Sequence, residues 1–146
     1  MASPYKSNFG VETVTAATLS ITAEGYAGKT IVSNLAATQT FTLPASSGSG
    51  NEYEVFVNIT KTGDLVVQVA NATDIMQGGV EIATDIAGVV MPTGATSDTL
   101  TMNGSTTGGV KGSHAVFKDV ATGTWRVSGF LCSTGAEADP FSAAVS

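Results

Sequence analysis

Charge is scarce in this chain. Charged residues make up 12% of its 146 positions, against about 25% in ordinary globular domains, and Gly, Ser and Thr stand where Lys and Glu would be expected. Interface cores are depleted of charge in the same way, so a protein that buries much of its surface in an assembly would have this composition. The six basic residues, Lys6, Lys29, Lys61, Lys111, Lys118 and Arg126, are scattered, and the net charge is −6. No stripe of Lys and Arg is available for a phosphate backbone, which argues against nucleic acid as a partner. Cys132 is the one cysteine, so an intrachain disulfide is excluded and packing must hold the fold. With His114 as the one histidine, a structural Cys/His zinc site is excluded within a single chain. No apolar run approaches the roughly 18 residues of a membrane span. The start, MASPYKSNFG, lacks a charged region followed by an apolar one, so neither a membrane anchor nor a cleaved signal is expected.

What the chain does have is alternation. In FTLP (41–44) Phe41 and Leu43 share one face while Thr40 and Thr42 take the other, and EYEVFVNIT (52–60) sets Tyr53, Val55, Val57 and Ile59 against Glu52, Glu54 and Asn58. Such strands bury one face and leave the other polar. The polar face uses Thr where most soluble domains use Lys and Glu, as expected of sheets presented to other subunits. Further strands are read over TLSITA (18–23), KTIVSN (29–34), QTFTLP (39–44), DLVVQVA (64–70), IMQGGV (75–80), EIATDIAGVVM (81–91) and TSDTLTMNGS (96–105). GSHAVFKDV (112–120) and TWRVSGFLC (124–132) close the series around the tight turn ATG (121–123). KTG (61–63) is expected to be a short hairpin loop between its two strongly patterned neighbours. Gly78 and Gly79 mark a bend or bulge where no side chain fits, and ASSGSGN (45–51) reads as a flexible surface loop.

Short strands at this spacing, with no convincing helix, predict an all-β domain: a β-sandwich, jelly roll or small barrel of short antiparallel strands. No exact internal repeat is present, which disfavours a solenoid. The expected organisation is an extended N-terminal arm over 1–17, a β-domain over 18–134 and a flexible C-terminal tail over 135–146. Pro4 and the sparse apolar residues of the first segment give it no regular pairing, so its removal is expected to leave the domain intact. Within it, Tyr5, Phe9 and Val11 are the candidates for contact with a partner.

Residues that could carry chemistry are few. His114 sits in a strand, and no partner for a Ser-His-Asp or Cys-His arrangement is evident from spacing. Glu52 and Glu54 lie on one strand face, about 7 Å apart along the backbone. That separation would suit a glycosidase pair, but no stacking aromatics accompany them, and a solvated face is the plainer reading. Asp64, Asp74, Asp85 and Asp98 are separated by whole strands and form no calcium loop. GSG (48–50) and TTGGVKG (106–112) lack the full spacing of phosphate-binding motifs and read as turns. Trp125 shares a face with Val127 and is expected in the core. Cys132 reads as a half-buried strand cysteine. The triplets at Asn58, Asn71 and Asn103 match the glycosylation pattern by chance in an Asn- and Thr-rich chain. No catalytic, cofactor or metal-ligating residue is assigned.

The order AGKTIVSN, TFTLP, Gly-rich loop, YEVFVNIT, Val-rich strand, DIMQGG and GTWRVSGF, spanning roughly residues 24–131, resembles a β-module of tailed-bacteriophage virion proteins. These include head decoration (capsid cement) proteins and parts of tail fibres. The resemblance implies a non-enzymatic structural protein of the virion. It would be a homotrimer assembled in the host cytoplasm, without cofactors, that binds the major capsid protein on the outer head surface and stabilises the shell. A tail-fibre or carbohydrate-binding receptor domain is the alternative. The chain departs from fibre proteins in lacking a long repetitive shaft.

Overall fold

The computed structural model describes residues 10–145. The described strands are β1 (Val11–Val14), β2 (Thr18–Ser20), β3 (Thr30–Ser33), β4 (Gln39–Thr42), β5 (Glu52–Val57), β6 (Leu65–Gln68), β7 (Ile75–Ala83), β8 (Gly88–Pro92), β9 (Thr99–Met102), β10 (His114–Ala121), β11 (Thr124–Cys132) and β12 (Phe141–Ser142). One helical turn, α1 (Ala23–Tyr26), interrupts them, capped by the Thr22 side chain, which accepts from the Gly25 amide. Among the described residues no helix is long and apolar enough to cross a membrane. Seven strands form one sheet in the order β1-β3-β5-β10-β11-β7-β8, and five form a second in the order β12-β9-β6-β4-β2. The fold is therefore all-β, two sheets around one core.

Alternation explains which residues make that core. Ile31, Tyr53, Val55, Val57, Ala115, Phe117, Trp125, Val127 and Leu131 point inward from the larger sheet. Phe41, Leu43, Leu65, Val67, Leu100 and Met102 meet them from the smaller one. The outward face of the smaller sheet carries Thr18, Thr40, Val66 and Thr101 in one cross-strand row and Ser20, Thr42 and Gln68 in the next, which ends at buried Thr99. The Thr-faced surface read from the sequence is this charge-free face.

The strands are not uniformly antiparallel. β1, β3 and β5 run parallel in one sheet, and β2, β4 and β6 run parallel in the other. β7 also runs parallel to β11. The first six strands thus alternate between the sheets, coiling through three rungs: β1 with β2, β3 with β4, β5 with β6. The KTG segment is one of the coil's crossings and not a hairpin. Alternation places Val57 and Leu65 on core-facing sides, and that condition is met equally by two strands paired in one sheet and by two strands facing each other across the core. Gly63 is required for stacking: a Cβ there would lie 2.6 Å from the Thr38 amide nitrogen in the crossing of the preceding rung. Lys61 joins the same two crossings. Its buried ammonium donates to the carbonyls of Leu35 and Ala37 and to Gln39 Oε1.

The ATG turn does close a hairpin, with β10 and β11 antiparallel and a register shift between Asp119 and Ala121. The two termini differ from expectation. Within the 1–17 segment, β1 pairs with β3, and Val14 is buried in the core. Gln39 Nε2, fully buried, donates to the carbonyls of Val14 and Ala16 at 3.2 and 2.9 Å. The described part of the expected arm is thus an integral edge strand. At the other end, β12 pairs with β9, and the amides of Ala144 and Val145 donate to the Asp98 carboxylate. The expected flexible tail is anchored through Val145.

Candidate protein-contact surface

The outward face of the seven-stranded sheet divides into a charged and an apolar half. At the charged end, Glu52 faces Lys118 at 3.6 Å and Arg126 at 3.9 Å; at the β1 edge, Lys29 pairs with Glu12, which stands in register with core-facing Ile31, at 3.0 Å. The Thr30 hydroxyl donates to Glu54 at 2.8 Å. Gly28, Lys29, Thr30, Glu52, Glu54 and Val116 line a shallow pocket of about 280 Å³ there. Both carboxylates considered for glycoside chemistry therefore have partners on their own face, and the lining contains no aromatic ring.

Register defines the apolar half, whose row carries one charge, Glu81, between Phe130 and Val90. Thr13, Val32, Phe56, His114, Phe130, Glu81 and Val90 stand opposite one another in a single row across the sheet. Phe130 is 37% exposed and Val90 69% exposed, while Val32, Phe56 and His114 are half-buried. His114 and Phe130 rings lie 6.5 Å apart, and His114 Nδ1 is 3.1 Å from the Gly112 carbonyl oxygen. Cys132, half-buried, lies two residues beyond Phe130 on the same face. Such a row differs from scattered surface apolar residues, because a strip spanning several strands can meet a partner at once.

Of the three contact candidates read from the sequence, Val11 is 65% exposed on β1 at the margin of this face, in the row of Thr30, Glu54 and Val116. Tyr5 and Phe9 lie outside the described residues. Sequence reading missed Val32, Phe56 and Phe130, although a signal existed. Each occupies an outward position in a strand whose inward positions are already apolar, next to Ile31, Val55 and Leu131 respectively.

The other candidates have structural roles. Trp125 is fully buried, its ring 5.8 Å from that of Tyr53, and its Nε1 has no hydrogen-bond acceptor. The 45–51 loop wraps a carboxylate: the amides of Ser47, Gly48 and Ser49 and the Ser49 hydroxyl all donate to buried Asp119. The Gly-Ser sequence thus forms an anion nest, with the chain's own Asp119 as the anion. Asp74 accepts from the Ser46 amide beside it. Asn71 and Asn103 each use their side-chain oxygen to accept amides of the following turn. Asn58 donates to Asn34. Among the described residues, no three His, Cys, Asp or Glu side chains group to hold a metal ion.

No family model, no curated protein and no solved structure matches the chain.

Proposed function

We propose that this chain is a structural protein that works by binding other protein subunits, and that the assembly is the head of a tailed bacteriophage. There it would act as a decoration protein on the outer capsid surface, in contact with the major capsid protein and assembled in the host cytoplasm. The apolar row through Val32, Phe56 and Phe130 carries this reading, and the motif order resembling phage virion proteins supplies the class of assembly. A ligand that binds only the assembled shell stabilises it by mass action, and several attachment points raise the effective concentration of each remaining contact.

The coil of β1 to β6 favours a second reading, a tail-fibre or receptor-binding module, because stacked rungs are a construction that extends along one axis. Imaging labelled protein on particles separates the two. Signal over the whole head supports decoration, and signal confined to the tail replaces it with the fibre. Phe130→Ser and Phe56→Ser should each weaken particle retention by about tenfold or more, as expected for aromatic anchors, without a large change in thermal unfolding. Retention unchanged in both variants removes this face as the contact surface.

A further inference from the structure

We propose that β8 is a pairing edge for a second copy of this chain, with two β8 strands running antiparallel about Val90 so that both molecules share one continuous sheet. β8 closes the seven-stranded order, and its one strand neighbour among the described residues is β7. At five residues it is longer than the other sheet edges, β1 with four, β2 with three and β12 with two. An open edge presents unpaired N–H and C=O groups, and natural edges usually carry a charge or a cover to block addition of a strand. Here the chain from Ile86 to Ser97 has no charged residue, so the edge strand itself carries no charge to block a second copy, although Glu81 stands beside Val90 on β7.

The ladder to β7 fixes which groups are free. The Thr84 amide donates to the Ala87 carbonyl, and the Thr93 amide donates to the Gly78 carbonyl. Since directly hydrogen-bonded positions alternate along an antiparallel pair, Val89 and Met91 bond to β7, while Gly88, Val90 and Pro92 direct their backbone groups outward. Pro92, with no N–H to offer, stands at an outward position where proline does not break the existing ladder. A twofold axis at Val90 makes this edge complementary to itself. Val90 exchanges both hydrogen bonds with the second copy's Val90, and each Gly88 N–H meets the other copy's Pro92 carbonyl. On the core-facing side, Val89 comes opposite the second copy's Met91, both apolar and both incompletely buried. The outward row ending at Val90 then continues across the axis into the other molecule. This gives the free protein a twofold dimer where the family resemblance implies a trimer.

Sedimentation of the full-length protein at micromolar concentration tests the pairing, and a dimer is expected. Val90→Pro removes an outward N–H without touching the β7 ladder. It should weaken association at least about tenfold, through the two hydrogen bonds lost per dimer, with circular dichroism unchanged. Val90→Cys in a Cys132→Ser background should form a disulfide-linked dimer under mild oxidation, because directly hydrogen-bonded antiparallel positions lie about 5.5 Å apart at Cα. A monomeric wild type, or a trimer or dimer indifferent to Val90→Pro, overturns the proposal. If Val90→Pro fails to fold, the cysteine variant decides: cross-linking supports the pairing and its absence refutes it. A monomeric Val90→Pro protein that still binds particles would leave the decoration reading standing, and an intact dimer that binds none would sink that reading alone.

Discussion

Two buried ionisable groups tie the loops of this fold; the surroundings favour the charged form of one and disfavour that of the other, and both make stability rise with pH, in separate windows. Burial by itself raises the Asp119 pKa, but hydrogen bonds from the Ser49 hydroxyl and the amides of Gly48, Ser49 and Ser47 outweigh it and hold the carboxyl below its ordinary value. Its contribution is therefore fully present above the unfolded-state pKa of about 3.9 and is lost as pH falls through the lowered native value. Asp119→Asn should cost about 1–3 kcal/mol at neutral pH and flatten the acid side of a plot of urea midpoint against pH. An unchanged midpoint at neutral pH would mean that the 45–51 loop holds itself. For Lys61 it is the charged form that the fold disfavours. Burial pushes its ammonium down from 10.5 to about 8, so between these values the unfolded chain binds the proton more tightly than the native one. Stability should rise as pH climbs through that window, and Lys61→Met should remove the rise. In the sequence Lys61 is one of six scattered basic residues, and Asp119 stands in a strand with no motif around it. Nothing in their neighbours along the chain shows that the Asp119 partners come from 47–49 or the Lys61 partners from 35–39.

At the scale of elements, alternation located the strands and the core but not the pairing. Tyr53, Val55, Val57, Leu65 and Val67 were legible as inward residues, and all are buried. The connection between them was not, since a Gly-containing three-residue link serves a hairpin and a crossing equally well. Conversely, Phe56 and Phe130 break the alternation of their strands, and those breaks mark the contact face that the periodic residues concealed. The reading of Gly78 as a place where no side chain fits was sound, though the cause is close approach to a neighbouring strand. Its φ is +133°, and a Cβ would sit 2.1 Å from the Val127 carbonyl oxygen. Gly78→Ala should therefore cost about 3 kcal/mol, a fall in Tm of roughly 10 °C. Gly94→Ala makes the comparison, because its added Cβ meets only Ser97 Oγ at an ordinary 3.5 Å. Equal melting temperatures for the two variants would contradict the close packing of β7 on β11.

For the whole molecule, the coil changes what the N-terminal segment does. In a sandwich of hairpins an edge segment can be dispensable. In a coil each rung covers the one beneath it, and β1 with β2 covers the rung of β3 and β4. Residues 10–17 supply the Gly10, Val14 and Ala17 carbonyls that accept from the amides of Thr30, Asn34 and Thr40. They also supply both backbone carbonyls that accept from the fully buried Gln39 side chain. Sequence alone could not show this, because VETVTAAT has one inward apolar residue, Val14, and the strand is defined by partners that lie a full rung away. A chain beginning at Thr18 should be less stable than one beginning at Gly10 by about 3 kcal/mol or more. That figure combines loss of a buried valine with an unsatisfied buried amide. Urea unfolding of the two chains, followed by tryptophan fluorescence from buried Trp125, gives the comparison directly. Coincident midpoints would mean that the first rung contributes nothing to folding, and the segment would then return to the role of an attachment arm.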